Sequence, residues 1–310
     1  MILYNVHNLG AGHGPRQMKG RQTLHYSQPI TDIIQRRYSC RTYLPVPIEE
    51  ALRQQLEAFM AATQTGPFGT AVRFQLLAAT DEDQTALRGL GTYGFIHGAT
   101  GFIVGTMQHG PKNLEDFGFG MEQVILFATD LGLGTCWLGG TFNRSTFAAR
   151  AELRAGEQMP AVTAVGHIGG RRSLMERIIR RGAGSSHRHP WSHLFFRERF
   201  DRPIAAEDAG PYALVLEMAR LAPSASNKQP WRIIQEGPAW HFYLQRNPGY
   251  RGTARLGRVP DLQRADMGIA MCHWELTARE AGLRGQWVVQ EPAIARPDEL
   301  TEYTASWLAN

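Results

Sequence analysis

Asp116-Phe117-Gly118-Phe119-Gly120-Met121-Glu122-Gln123-Val124-Ile125-Leu126-Phe127-Ala128-Thr129-Asp130-Leu131-Gly132-Leu133-Gly134-Thr135-Cys136-Trp137 has a diverged copy further along the same chain. Displaced by 266 − 116 = 150 positions, residues 266–287 align with it without a gap. Asp116/Asp266, Gly118/Gly268, Met121/Met271, Leu126/Leu276, Ala128/Ala278, Gly132/Gly282, Leu133/Leu283 and Trp137/Trp287 coincide. Unrelated segments of this length share about one or two residues by chance, so these eight identities mark an internal duplication. Other anchors agree at slightly different displacements, as loops of unequal length require. Pro47-Ile48 answers Pro203-Ile204, and Arg73 answers Arg232. Residues 124–128 are apolar almost all round the helical wheel, which predicts a helix buried on several sides.

A chain of 310 residues can bury a large core, and length alone suggests about two domains. Hydrophobic content of 43% and charged content of 20% are those of an ordinary globular protein. No apolar run approaches the ~20 residues of a membrane span. No basic start followed by an apolar core is present, so no secretory signal is expected. Three cysteines, Cys40, Cys136 and Cys272, lack paired spacing, which predicts a reducing, cytoplasmic setting and argues against a zinc site. The net charge of +5 suits an anionic ligand without naming it. Nine arginines between Arg171 and Arg202 face three acidic residues, yet no zinc-finger spacing or aromatic-basic signature accompanies them. They read as a solvated face rather than a nucleic-acid site.

Residues 1–30 are expected to form a flexible tail, since residues 1–28 are polar and lack periodicity. Thr31-Asp32-Ile33-Ile34 predicts a capped helix start. Ile48, Leu52, Leu56 and Phe59 recur at helical spacing after Pro45 and Pro47. Residues 73–77, 101–105 and 160–166 read as strands, the last of them central. Gly89-Leu90-Gly91-Thr92-Tyr93-Gly94 matches a Gly-x-Gly-x-x-Gly pattern, but it follows a polar, helix-like run instead of a strand, so no Rossmann domain is expected. Gly182-Ala183-Gly184-Ser185-Ser186 reads as a linker, with His187, His189 and His193 exposed beside it. The pattern then restarts: residues 231–234 and 240–244 predict a hairpin through Gly237-Pro238. The expected organisation is repeat 1 over residues 31–182, a linker over 183–191 and repeat 2 over 192–310.

Three stretches carry chemistry. Leu221-Ala222-Pro223-Ser224-Ala225-Ser226-Asn227-Lys228-Gln229-Pro230-Trp231-Arg232 is a polar turn whose prolines exclude helix and whose small side chains admit close approach to the main chain. Gln35-Arg36-Arg37-Tyr38-Ser39-Cys40-Arg41 gathers planar guanidinium donors and a hydroxyl, a grip suited to phosphate. Leu131-Gly132-Leu133-Gly134-Thr135-Cys136-Trp137-Leu138-Gly139-Gly140 ends the apolar helix with glycines and a flat indole. Cys136 reads as a packing thiol, and Trp137 and Trp287 as core.

Together the three stretches resemble the FMN-dependent nitroreductase family, in its single-chain, fused-dimer branch. The resemblance implies an α+β fold, with mixed β-sheets flanked by helices and two repeats forming an intramolecular pseudo-dimer that is functional as a monomer. It implies an FMN-dependent NAD(P)H oxidoreductase working by a ping-pong cycle, with NADH or NADPH as donor and a small-molecule electron acceptor such as a nitroaromatic or quinone. No nucleic-acid or membrane partner is expected. By resemblance Arg37, Ser39 and Arg41, with Arg36, hold the phosphate and the polar edge of the flavin, and Arg171 and Arg172 add phosphate contacts. Pro223, Ser224, Ala225 and Asn227 line the ring from the other repeat. Leu138, Gly139 and Gly140 pass near flavin N5, where the Gly139 backbone can stabilise negative charge. Repeat 2 has Ser192-His193-Leu194-Phe195-Phe196-Arg197 in place of the arginine start, and repeat 1 has Gln64-Thr65-Gly66-Pro67-Phe68-Gly69-Thr70 in place of the Pro/Ser turn. One FMN per chain is therefore expected. The alternative is a flavin-binding or flavin-processing protein without NAD(P)H turnover.

Overall fold

A duplicated sequence should build the same sheet twice, and the computed structural model shows that it does. It describes residues 25–82, 87, 90–170, 187–248 and 260–310. In the first part the elements run α1 (Ile30–Arg36), α2 (Glu50–Ala62), β1 (Val72–Ala78), β2 (Gly101–Gln108), α3 (Asn113–Asp130), β3 (Gly134–Leu138), α4 (Arg144–Arg150), β4 (Glu157–Gln158) and β5 (Val162–Gly166). The second part begins with α5 (Trp191–Leu194), β6 (Phe195–Arg197) and β7 (Arg199–Pro203). It continues through α6 (Ala213–Arg220), β8 (Trp231–Glu236), β9 (Ala239–Gln245), α7 (Leu262–Glu280), β10 (Gly285–Val288) and β11 (Thr301–Ala309).

Among the described residues the first sheet has the order β1-β2-β5-β3, with β4 on β2, and the second contains β8-β9-β11-β10. Every neighbouring pair in both series is antiparallel. The second sheet adds β6, parallel to β8, and β7 beyond it. The α+β class, with mixed sheets flanked by helices, is thus as expected, and β5 lies inside its sheet. The predicted hairpin is β8 and β9, paired from Trp231↔Leu244 to Glu236↔Ala239.

The repeated segment forms α3 and α7, which pack against each other at the centre. Both are buried almost throughout, as the apolar run 124–128 predicts for α3, whereas α7 also buries Gln263, Asp266, His273 and Glu275. Gly118 and Gly268 let them touch. A Cβ on Gly118 would lie 2.0 Å from the Ala265 carbonyl oxygen, and one on Gly268 would lie 1.9 Å from that of Glu115. Each helix ends the same way: Gly132 (φ +81°) and Gly282 (φ +75°) take the left-handed conformation, and the next residue returns a hydrogen bond, Leu133 N–H to Ala128 O and Leu283 N–H to Ala278 O. These are Schellman turns, which favour glycine because no Cβ opposes positive φ. The two copies of the motif therefore stop their helices and start β3 and β10 alike.

Two local expectations are corrected. α1 begins at Ile30, and no side chain of its own caps it. The Glu280 carboxylate, on the last turn of α7, accepts from the N–H groups of Ile30 and Thr31 instead. Within the expected tail, Tyr26 packs against Phe59 and Phe127, while the Ser27 N–H and hydroxyl donate to Asp130. This end of the tail is thus tied to α3. The linker expected at 183–191 lies outside the described residues as far as 186, as does part of the polar run before Leu90. No helix among the described residues is long and apolar enough to cross a membrane.

Candidate functional site

The arginine stretch follows α1 and lies alongside β3. Ser39 forms a parallel bridge with Thr135, and Cys40 N–H donates to Thr135 O at 2.8 Å. The phosphate-type donors and the glycine floor are therefore neighbours. Arg36 is engaged locally: its Nη1 donates to Gln28 Oε1 and its Nη2 to Thr129 O. Arg37 is the buried one, with a side chain 6% exposed and Nε 3.6 Å from Glu122 Oε1. That Nε has no hydrogen-bond acceptor among the described residues. A buried guanidinium at ion-pair distance, whose Nε lacks an acceptor among the described residues, suits an anionic ligand. Arg41 lies close by, its Nη1 3.5 Å from Ser39 O. A cleft of about 310 Å3 opens here, with Arg36, Arg37, Tyr38, Gly134 and Thr135 among its lining.

The floor continues from buried Leu138 into Gly139 and Gly140. A Cβ on Gly139 would lie 2.3 Å from Leu262 Cδ1. Gly139 O accepts from Arg144 Nη2 at 2.7 Å, and Arg144 also donates to Met159 O and Pro160 O, which pins the loop to the segment leading into β5. Leu262 stands on the first turn of α7, and Asp266, one turn on, accepts from Ala225 N–H at 2.9 Å. Residues four apart share a helix face. One face of α7 thus carries the floor of repeat 1 and the Pro/Ser turn of repeat 2. Burial pushes the Asp266 carboxyl well above the usual carboxylate range. Its equivalent, Asp116, accepts from Phe68 N–H and Thr70 N–H, both at 2.8 Å. This confirms residues 64–70 as the counterpart of the turn.

The turn itself is unusually bent. Ser226, Asn227 and Gln229 have φ of +50°, +54° and +46°. Non-glycine residues pay of order 1 kcal/mol for that region, and such strain concentrates at functional sites. Ser224 Oγ accepts from Gln229 N–H at 2.8 Å, which closes the loop and leaves Pro223 and Ala225 half-buried on its surface. Asn227 is committed to a neighbouring segment: its Nδ2 donates to His187 O at 2.8 Å, and its Oδ1 accepts from Arg188 Nη1 at 3.0 Å.

That segment is one the sequence reading assigned to a solvated linker. Arg188 Nη2 also donates to Leu221 O, and His189 N–H donates to Gln229 Oε1. Residues 187–189 therefore wrap the turn. Burial, followed by the charges of Arg37 and Arg220, pushes the Arg188 guanidinium down to about 10. Arg188 belongs to the candidate site, and only its proximity to a Gly/Ser run in sequence suggested otherwise. Arg171 and Arg172 lie outside the described residues.

Two further residues were not singled out from sequence. Glu122 and His273 are fully buried, with His273 Nε2 3.0 Å from Glu122 Oε1. Trp137 Nε1 donates to Glu122 Oε2 at 2.8 Å, and Trp287 Nε1 donates to Glu275 Oε2 at the same distance. The two tryptophans thus pack as expected and also satisfy buried carboxylates. The available signal was a carboxylate within an otherwise apolar helix. All three cysteines are buried, in keeping with Cys136 as a packing thiol.

Comparison with known proteins gives the family and the fold. Residues 29–278 match the family model described as "Putative TM nitroreductase". A crystal structure of a "putative nitroreductase" from Thermotoga maritima superposes with a TM-score of 0.58 at 20% identity, covering 95% of this chain and 99% of that one. A nitroreductase with bound FMN from Desulfitobacterium hafniense covers 47% of this chain and 92% of its own, at 22% identity and a TM-score of 0.37. One from Desulfovibrio desulfuricans in complex with FMN covers 49% and 95%, at 23% identity and a TM-score of 0.36. Among curated proteins, none matches.

Proposed function

We propose, since this chain belongs to the nitroreductase family, that it is an FMN-dependent NAD(P)H oxidoreductase that reduces a small acceptor at one site between its two repeats. The supporting observation is the convergence of three distant stretches on one helix pair. Arg37 reaches Glu122 on α3, Gly139 rests on Leu262, and Ala225 is held by Asp266, the last two on α7.

The residues present fit the cofactor, a reading that the buried Arg37 guanidinium supports. Arg37, Ser39 and Arg41 would hold the phosphate and polar edge, while Pro223, Ser224 and Ala225 would line the ring, with Leu138, Gly139 and Gly140 offering backbone dipoles. Asn227 acts through the segment it clasps. FMN, when bound, supplies hydride and single-electron transfer. The chain supplies the rest: a cationic grip, a rigid turn and an open face that the nicotinamide donor and the acceptor would occupy in turn. The pairing of repeats within one chain supports function as a monomer and a cytoplasmic setting suits the unpaired cysteines.

The visible spectrum of the purified chain, with flavin quantified against protein, tests this reading. About one FMN per chain, bleached by NADH or NADPH under nitrogen, is expected. Two FMN per chain would refute the loss of the second site, and none after adding FMN would refute the function.

A further inference from the structure

His273 lies on α7 without solvent access. Its Nδ1 is 2.9 Å from the Met218 carbonyl oxygen, and its Nε2 is 3.0 Å from Glu122 Oε1. A carbonyl only accepts, so the ring carries a proton on Nδ1. Nε2 then either donates to an ionised Glu122 or accepts from a protonated one. In both arrangements the two groups share one further proton, and their summed charge is zero.

That sum decides what Arg37 can do. Its Nε lies 3.6 Å from the same Glu122 oxygen. An ionised Glu122 by itself would cancel the Arg37 charge at short range in a buried setting. Paired with His273, Glu122 orients the guanidinium without neutralising it, and the three groups together keep a net +1. Trp137 Nε1 holds the carboxylate from the other side.

Helix packing does not require this arrangement, as the duplication demonstrates. At the displacement of 150, Glu122 answers Cys272 and Gln123 answers His273. The symmetry mate of the Glu122–His273 contact is therefore Cys272 with Gln123, which lacks a paired acid and base. The contacts that packing needs recur in both copies: Gly118 and Gly268 at the crossing, Asp116 and Asp266 under the turns. The Glu122–His273 pair itself thus has no counterpart at the symmetry-related position, on the side without the arginine start.

Resting on the reading of Arg37 as part of the phosphate grip, we propose that His273 is a positioning residue for that grip. From the second repeat it takes up the charge of Glu122 and so keeps the charge of Arg37 available to the cofactor phosphate.

The test titrates the full chain, stripped of flavin, with FMN and with riboflavin, following flavin fluorescence. The ratio Kd(riboflavin)/Kd(FMN) isolates the phosphate. His273→Gln keeps a donor toward Glu122 but carries no charge, and should lower this ratio at least tenfold. Adding Glu122→Gln to it removes the unbalanced carboxylate and should return the ratio to within threefold of wild type. If His273→Gln does not fold, His273→Asn, which retains a donor toward Met218 O, should show the same fall. An unchanged ratio in a folded single variant overturns the proposal. So does a double variant that folds without recovery, or an equal loss of FMN and riboflavin, which would mark a merely structural role. Wild-type protein that binds neither flavin would instead overturn the underlying reading of the site.

Discussion

Gly118→Ala sets two physical effects against each other. Alanine in a helix is favoured over glycine by about 1 kcal/mol, so local propensity predicts stabilisation. The structure predicts the opposite. The added Cβ would lie 2.0 Å from the Ala265 carbonyl oxygen and 2.8 Å from its carbon. A carbon sits about 3.3 Å or more from such an oxygen, so α3 and α7 must part by about 1 Å. No side chain can turn aside, because the obstruction is backbone. Overpacking costs about 1–3 kcal/mol when side chains adjust, and a rigid backbone places this site at or above that range. The net expectation is a loss of about 2 kcal/mol, read as a lower urea midpoint at unchanged slope. Function should follow, because α7 carries both Leu262 beneath Gly139 and Asp266 beneath Ala225; FMN affinity should fall with stability. Gly268→Ala should behave alike, and the double variant should cost less than the sum, since one separation relieves both contacts. A Gly118→Ala protein as stable as wild type would refute the reasoning.

Two other outcomes follow from the site. Asp266 has its carboxyl raised by burial, and its Oδ2 has no hydrogen-bond partner among the described residues. The folded state thus holds this proton more tightly than the unfolded chain does. Its contribution is complete below the ordinary aspartate range, near pH 4, and is lost as pH rises toward the folded value, by at most about 1.4 kcal/mol per pH unit. Asp266→Asn should gain stability relative to wild type between pH 4 and 7 in urea melts, and a constant difference would refute the assignment. Arg37→Ala removes a charge-assisted donor worth about 1.5–3 kcal/mol, so FMN should bind at least tenfold more weakly while riboflavin changes little. Undiminished FMN affinity in fluorescence titration would refute the role of Arg37.

Local pattern carried much of this architecture. The Gly132-Leu133 and Gly282-Leu283 pairs announced equivalent helix ends, and each forms the same Schellman turn. The hairpin through Gly237-Pro238 was equally plain. Where the reading went astray, a distant partner had replaced a local one. The α1 terminus is satisfied by Glu280 rather than by Thr31, and residues 187–189, polar and next to a Gly/Ser run, are ordered by Asn227 and Gln229.

The sequence by itself determined the family resemblance, the duplication and the loss of complementary parts from each repeat, because these reside in residue order and short-range periodicity. Tertiary structure alone decided which buried charges meet. Glu122 and His273 are 151 positions apart, and nothing in the neighbourhood of either names the other. They face each other because Gly118 and Gly268 let two helices approach to backbone contact. In that dry interface a carboxylate must find a partner, and the histidine that answers it leaves Arg37 its charge.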